Sequence, residues 1–254
     1  DDGLLDHHEK IFGLTTQILD ESLDIFLLYG DAISLELGEN FEARAMLGVS
    51  LAERMLQEAG VDAQIRVLGM INVGDDVGLL NDEIFERLQD VDGPWAAAMA
   101  SAGENADFIF YLHNDVEEDT NDGLARVNGS RQGGLLSAER IIERGNHLSV
   151  VDIDEGTRVS TLAHELGHLL GLGHSRRQVY ESLEENDRNA TPGTFPWSLG
   201  HGLDSEFVTT MGYRSKFNVS QTLELFSDPT KTCNGSFACG VDKSDPLLGA
   251  DAAA

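Results

Sequence analysis

The segment His164-Glu165-Leu166-Gly167-His168-Leu169-Leu170-Gly171-Leu172-Gly173-His174 constrains this chain more than any other. Val159, Leu162, Ala163, Leu166, Leu169 and Leu170 recur there at helical spacing, which predicts a helix over 157–170 stopped by Gly171. On such a helix His164 and His168 leave the same face, with Cβ atoms about 5–6 Å apart. Two imidazole nitrogens so placed can reach one zinc ion at about 2.0–2.1 Å each. Gly171 has no Cβ, so the chain can turn there in a left-handed conformation and bring His174 back as a third ligand. Three histidines with one open position make the ligand set of a catalytic zinc; structural sites are closed by four protein ligands. Glu165 sits about 100° round the helix from His164. There its carboxylate can act on a water as general base without joining the ligands.

Around this helix the chain alternates between strand-like and helix-like patterns. Residues 23–29, 63–73, 107–113, 123–128 and 148–153 read as strands, the third from the run Phe108-Ile109-Phe110-Tyr111-Leu112. Residues 41–59 read as a helix with Phe41, Ala45, Ala52, Met55, Leu56 and Ala59 on one stripe, ended by Gly60. Shorter helices are expected at 82–88 and at 94–102, with Pro94 in the first turn. Residues 175–202 carry few apolar side chains and are expected to be rich in loops. The pattern implies an α+β chain whose upper part is α/β-like.

The motif His-Glu-x-x-His-x-x-Gly-x-x-His resembles the metzincin clan of zinc endopeptidases. Thr209-Thr210-Met211-Gly212-Tyr213 follows downstream, and Met211 resembles the methionine of the clan's turn beneath the metal. Tyr213, two residues later, resembles the tyrosine that reaches the zinc in astacin-like and serralysin-like members; a phenol there can donate to a developing oxyanion, and packing is the alternative role. The apolar strand ending at Tyr29, the long helix, and Phe226-Ser227-Asp228-Pro229 followed by two cysteines resemble reprolysin-like enzymes, especially the bacterial peptidyl-Asp metallopeptidase family. Ser175 departs from the Asp usual after the third His in reprolysin-like members. No Tyr-Pro pair of the matrixin kind follows Met211, and no Gly-Gly-x-Gly-x-Asp repeat occurs.

The resemblance implies a metzincin fold: a mixed twisted sheet with long helices, a zinc helix and an irregular part after the third His. It implies a catalytic domain at 23–254, upper part 23–174 and lower part 175–254, preceded by an entry segment at 1–22. It also implies a secreted metalloendopeptidase with one catalytic Zn2+, acting as a monomer on protein or peptide and cleaving before Asp. Such enzymes hold substrate as a strand added to a sheet edge, which points to Leu124 and Ala125; an ordinary edge strand is the alternative. A cationic pocket is then expected, with Arg176 and Arg177 near the third ligand. An inactive zinc-binding adhesion module of the same fold is the competing class.

Composition narrows the partners. Lys plus Arg number 17 against 45 Asp plus Glu, a net charge of −28, which disfavours nucleic acid and anionic membrane surfaces. No apolar run nears the roughly 20 residues that span a bilayer. Cys233 and Cys239 are the 2 cysteines and are expected to close a small disulfide, with reduced thiols as the alternative. Asp115, Glu117, Glu118, Asp119 and Asp122 form one acidic cluster and Asp152, Asp154 and Glu155 another; both are solvated loops or Ca2+ ligands. Asn128, Asn189, Asn218 and Asn234 open Asn-x-Ser/Thr triplets.

Overall fold

A computed structural model describes residues 22–103, 106–114, 122–128, 145–179, 193–195, 197–242 and 244. The chain divides into two compact units, one drawn from Asp1–Glu53, Asp62–Arg126 and Ser137–Glu165, the other from Arg54–Val61, Val127–Leu136 and Leu166–Ala254.

The first unit is built on a mixed five-stranded sheet in the order β2-β1-β3-β5-β4. Its strands are β1 (Ser22–Tyr29), β2 (Gln64–Asn72), β3 (Phe108–His113), β4 (Gly123–Ala125) and β5 (Leu148–Asp152). β1, β2, β3 and β5 run parallel, and β4 pairs antiparallel with β5 at the edge. Every residue of β3 and β5 is buried. That explains the unbroken apolar run of β3, since a strand covered on both faces has no reason to alternate. One side of the core gathers Leu28, Ile84, Phe85, Leu88, Trp95, Tyr111 and Val150.

Helices flank these strands. α1 (Asp31–Leu37) follows β1 directly, α2 (Phe41–Glu58) is the long helix, and α3 (Asn81–Gln89) and α4 (Ala96–Gly103) precede β3. The sequence pattern gave no sign of α1: within it only Ile33 and Leu37 are buried, and Leu35 is 79% exposed. Glu83 caps α3 by accepting the main-chain N–H of Leu80 at 3.0 Å. α4 starts two residues after Pro94, because 91–95 forms a turn in which the N–H of Ala96 reaches Gly93 O. Gly60 ends the long helix with φ +85°, as its position predicts.

A buried polar cluster closes the ends of the parallel strands. Asp76 accepts the Ala32 N–H at 3.0 Å and the Tyr111 hydroxyl at 2.9 Å, and lies 3.4 Å from His113 Nδ1. The other ring nitrogen of His113 lies 2.9 Å from Leu79 O. Burial pushes the Asp76 carboxyl up, but its bonds to His113, Ala32 and Tyr111 outweigh that and hold it below the usual range. For His113 burial pushes down, and Asp76, the Leu79 carbonyl and Asp152 outweigh it and raise the imidazole. Gly30 makes the close approach feasible: a Cβ there would fall 1.9 Å from Asp76 Cγ.

The second unit is irregular, with β6 (Gly202–Leu203) against β7 (Phe207–Val208), α6 (Arg214–Phe217), and β8 (Thr232–Cys233) against β9 (Phe237–Ala238). Asn234 and Gly235 turn the last hairpin with φ of 46° and 74°. Cys233 and Cys239 form the expected disulfide and pack with Phe207. Within 175–202, a helical turn occupies 176–179 and Leu199 bridges back to Gly173; 180–192 and 196 lie outside the described residues. Among the described residues no helix is long and apolar enough to cross a membrane.

Candidate metal centre

α5 (Thr161–Leu169) carries His164, Glu165 and His168. It begins four residues later than the apolar spacing predicts. Asp154 Oδ1 captures the main-chain N–H groups of Gly156 at 2.6 Å and Thr157 at 2.8 Å, which folds 154–157 into a turn. Arg44 of α2 secures that turn, donating to the carbonyls of Ile153, Asp154 and Thr157 at 2.8, 2.5 and 2.6 Å.

The helix ends as its sequence predicts. Gly171 adopts φ +93°, the N–H of Gly171 reaches His168 O, and that of Leu172 reaches Gly167 O. A Cβ at Gly171 would fall 1.8 Å from Thr194 Oγ1, so sterics as well as φ demand glycine. The turn returns His174 to the helix. The donor atoms of His164, His168 and His174 all lie within 4.8 Å of one another, the sole metal-competent cluster among the described residues.

Orientation and protonation suit a cation. His168 Nδ1 lies 2.8 Å from Leu172 O, so Nδ1 carries the proton and Nε2 presents its lone pair. That Nε2 stands 3.1 Å from His174 Nε2. Neighbouring nitrogens of a tetrahedral zinc site with bonds of about 2.0–2.1 Å stand about 3.3–3.4 Å apart, so the pair needs little adjustment. Burial pushes His168 down to about 4, partly opposed by the Leu172 carbonyl, which keeps the ring neutral and able to ligate. The residues fit zinc.

Glu165 is 3% exposed, and among the described residues its Oε2 has no hydrogen-bond partner. Burial, then Asp152 and Asp122, push its carboxyl well above the usual range, with Arg158 opposing. Gly123, the first residue of β4, stands against it: a Cβ there would lie 2.8 Å from Glu165 Oε1. Leu124 and Ala125 follow on the edge strand, which ends sooner than predicted because the Asn128 N–H is drawn to His168 O at 2.9 Å.

Met211 is fully buried beneath α5, where a Cβ at Gly167 would meet its sulfur at 2.5 Å. Phe226 closes the same spot at 3.1 Å. The Tyr213 ring lies 4.5 Å from the His174 ring, centroid to centroid. Arg177 is engaged elsewhere: it pairs with Asp204 at 2.5 Å, donates to Lys216 O and covers the Phe217 ring. Asp115, Glu117, Glu118 and Asp119 lie outside the described residues, and Asp154 serves its turn, so the calcium expectation gains no support.

Sequence reasoning missed the roles of Gly167 and Asn128, and although it placed Gly123 on the candidate edge strand it did not foresee its closeness to Glu165. Gly167 carried a signal, since glycine inside a nine-residue helix costs stability unless something needs the space.

The description "Metallo-peptidase family M12B Reprolysin-like" matches residues 43–175, a span covering nearly all of the long helix, strands β2 to β5 and all three histidines, with β1 before it. The chain belongs to that family. As a reprolysin-like metallo-peptidase, it is also 26% identical over 233 residues to the peptidyl-Asp metalloendopeptidase of Pseudomonas aeruginosa. That match takes in 84% of this chain but 35% of the relative, so the chain spans about a third of that protein's length. Among solved structures, a chain from the structure of a chaperone–substrate complex aligns with 93% of this chain and 33% of its own, with a TM-score of 0.64 and 19% identity. That is a likeness of fold. It agrees with the mixed α+β architecture expected of the reprolysin-like family.

Proposed function

We propose that residues 23–254 form the catalytic domain of a secreted zinc-dependent endopeptidase. The observation that carries this reading is the convergence of three histidine donors within 4.8 Å beside the buried carboxyl of Glu165. His164, His168 and His174 would hold the zinc, which when bound would supply a Lewis acid able to make water ionisable near neutral pH. Glu165 takes the proton of the attacking water and passes it to the departing amine. Burial raises its carboxyl, which makes it a stronger proton acceptor than an exposed carboxylate. Tyr213, beside His174, donates its phenol to the developing oxyanion.

Substrate lies along the edge strand β4, adding a strand beside Leu124 and Ala125. Cleavage before Asp is supported by the name of the Pseudomonas relative. The disulfide supports an oxidising, extracellular setting. The charge of −28 supports a monomer that avoids nucleic acid and anionic membranes.

The test is zinc content measured together with cleavage-site mapping on a mixed peptide pool, before and after chelation. One zinc per chain and chelator-sensitive cuts on the amino side of Asp are expected. Zinc binding without any cleavage would replace this reading with the inactive adhesion module, and cuts without regard to Asp would remove the specificity alone.

A further inference from the structure

Ser175 stands where reprolysin-like sequences usually carry Asp, and its hydroxyl points at a residue the motif does not include. It donates to Gln178 Oε1 at 2.7 Å. The same oxygen accepts the main-chain N–H of Tyr213 at 3.1 Å, across 35 positions of sequence. Gln178 is 6% exposed and Ser175 is 1% exposed, so the bond between them is sheltered from water. Ser175 also binds the turn that carries Gln178: the N–H of Val179 reaches Ser175 O at 3.1 Å.

One carboxamide oxygen thus ties the turn following the third histidine to the residue two places beyond Met211. Tyr213 is 38% exposed, and its ring rests on His174 at 4.5 Å, centroid to centroid. Just before it, Gly212 leaves no room for a side chain, since a Cβ there would fall 2.4 Å from Val208 Cγ2, and its N–H reaches Thr209 O at 2.9 Å.

We propose that Gln178 is a positioning residue whose carboxamide oxygen, oriented by Ser175, holds Tyr213 against His174. The catalytic half of this inference rests on the endopeptidase reading, and the ring contact does not. A phenol displaced by about 1 Å no longer meets the charge it is meant to stabilise.

The zinc-loaded chain is compared with Gln178→Met, which keeps the length and removes the acceptor, and with Gln178→Glu, which keeps an acceptor. Tyr213→Phe and the double variant Gln178→Met/Tyr213→Phe complete the set. Two quantities are read: the nuclear Overhauser contact between the Tyr213 and His174 rings, and kcat and KM on a cleaved peptide. Gln178→Met is expected to lose the contact and about 10- to 100-fold in kcat, with KM moving less than about threefold. Gln178→Glu recovers both, and in the Tyr213→Phe background Gln178→Met costs nothing more. A Gln178→Met chain that keeps the contact or the parent kcat overturns the proposal, as does a Gln178→Glu chain as impaired as Gln178→Met. If the parent cleaves no peptide, the endopeptidase reading and the catalytic half fall together, and the ring contact alone decides the positioning.

Discussion

Gly167 and Met211 share one volume: a methyl group at position 167 would come within 2.5 Å of the Met211 sulfur. The helix therefore forgoes the roughly 1 kcal/mol that Ala would bring over Gly so that a thioether can pack against its backbone at position 167. Gly167→Ala is expected to lower stability by about 1–3 kcal/mol in urea melts and to weaken zinc binding, because overpacking displaces the ligand helix. In a Met211→Ala background the same change should be neutral or stabilising. Equal losses in both backgrounds would place the strain elsewhere.

Glu165 supplies no donor to the three-histidine cluster. Glu165→Gln should keep one zinc per chain, with kcat reduced by about 10²–10⁴-fold, the range of a lost general base. Calorimetric zinc titration beside a peptide assay separates the two; activity close to the parent's would remove Glu165 from the proton path.

Asp107 gives a pH signature of stability. Burial, and then the Asp24 charge, lift its carboxyl from 3.8 to about 6, against the Asp24 N–H bond and Arg66. Between those values the folded chain holds a proton that the unfolded chain has released, so this group makes stability fall as pH rises from about 4 to 6. Asp107→Asn still accepts the Asp24 N–H and carries no charge. It should flatten that slope and add about 1–3 kcal/mol at pH 7. Thermal melts across pH 4–8 check this, and a slope unchanged by the substitution would contradict it.

The Cys233–Cys239 bridge closes a loop with a sequence separation of 6. Cys233→Ser/Cys239→Ser should cost about 2 kcal/mol on the loop-entropy estimate and leave zinc affinity within about twofold of the parent. Loss of zinc in the reduced chain would show that the hairpin supports the ligand helix.

Much of this was legible in the sequence because the deciding interactions are local. The i, i+4 histidines, the left-handed Gly171 and the unbroken run of β3 each follow from helix or strand geometry within a few residues. What escaped depends on partners far along the chain. The early end of β4 comes from Asn128 bonding to His168, and the role of Gln178 depends on Tyr213. The late start of α5 was within reach: Asp154 followed by Glu155, Gly156 and Thr157 is turn chemistry that helical periodicity overrode. α1 was hidden by its brevity, with Gly30 before it reserved for the Asp76 carboxyl.

The bare backbone of Gly123 over Glu165 sets a boundary for redesign. Directed evolution toward new peptide preferences has most latitude at 125, since Leu124 packs against the core. At 123 any added carbon would shove the carboxyl aside, so that site should stay frozen in every surviving lineage.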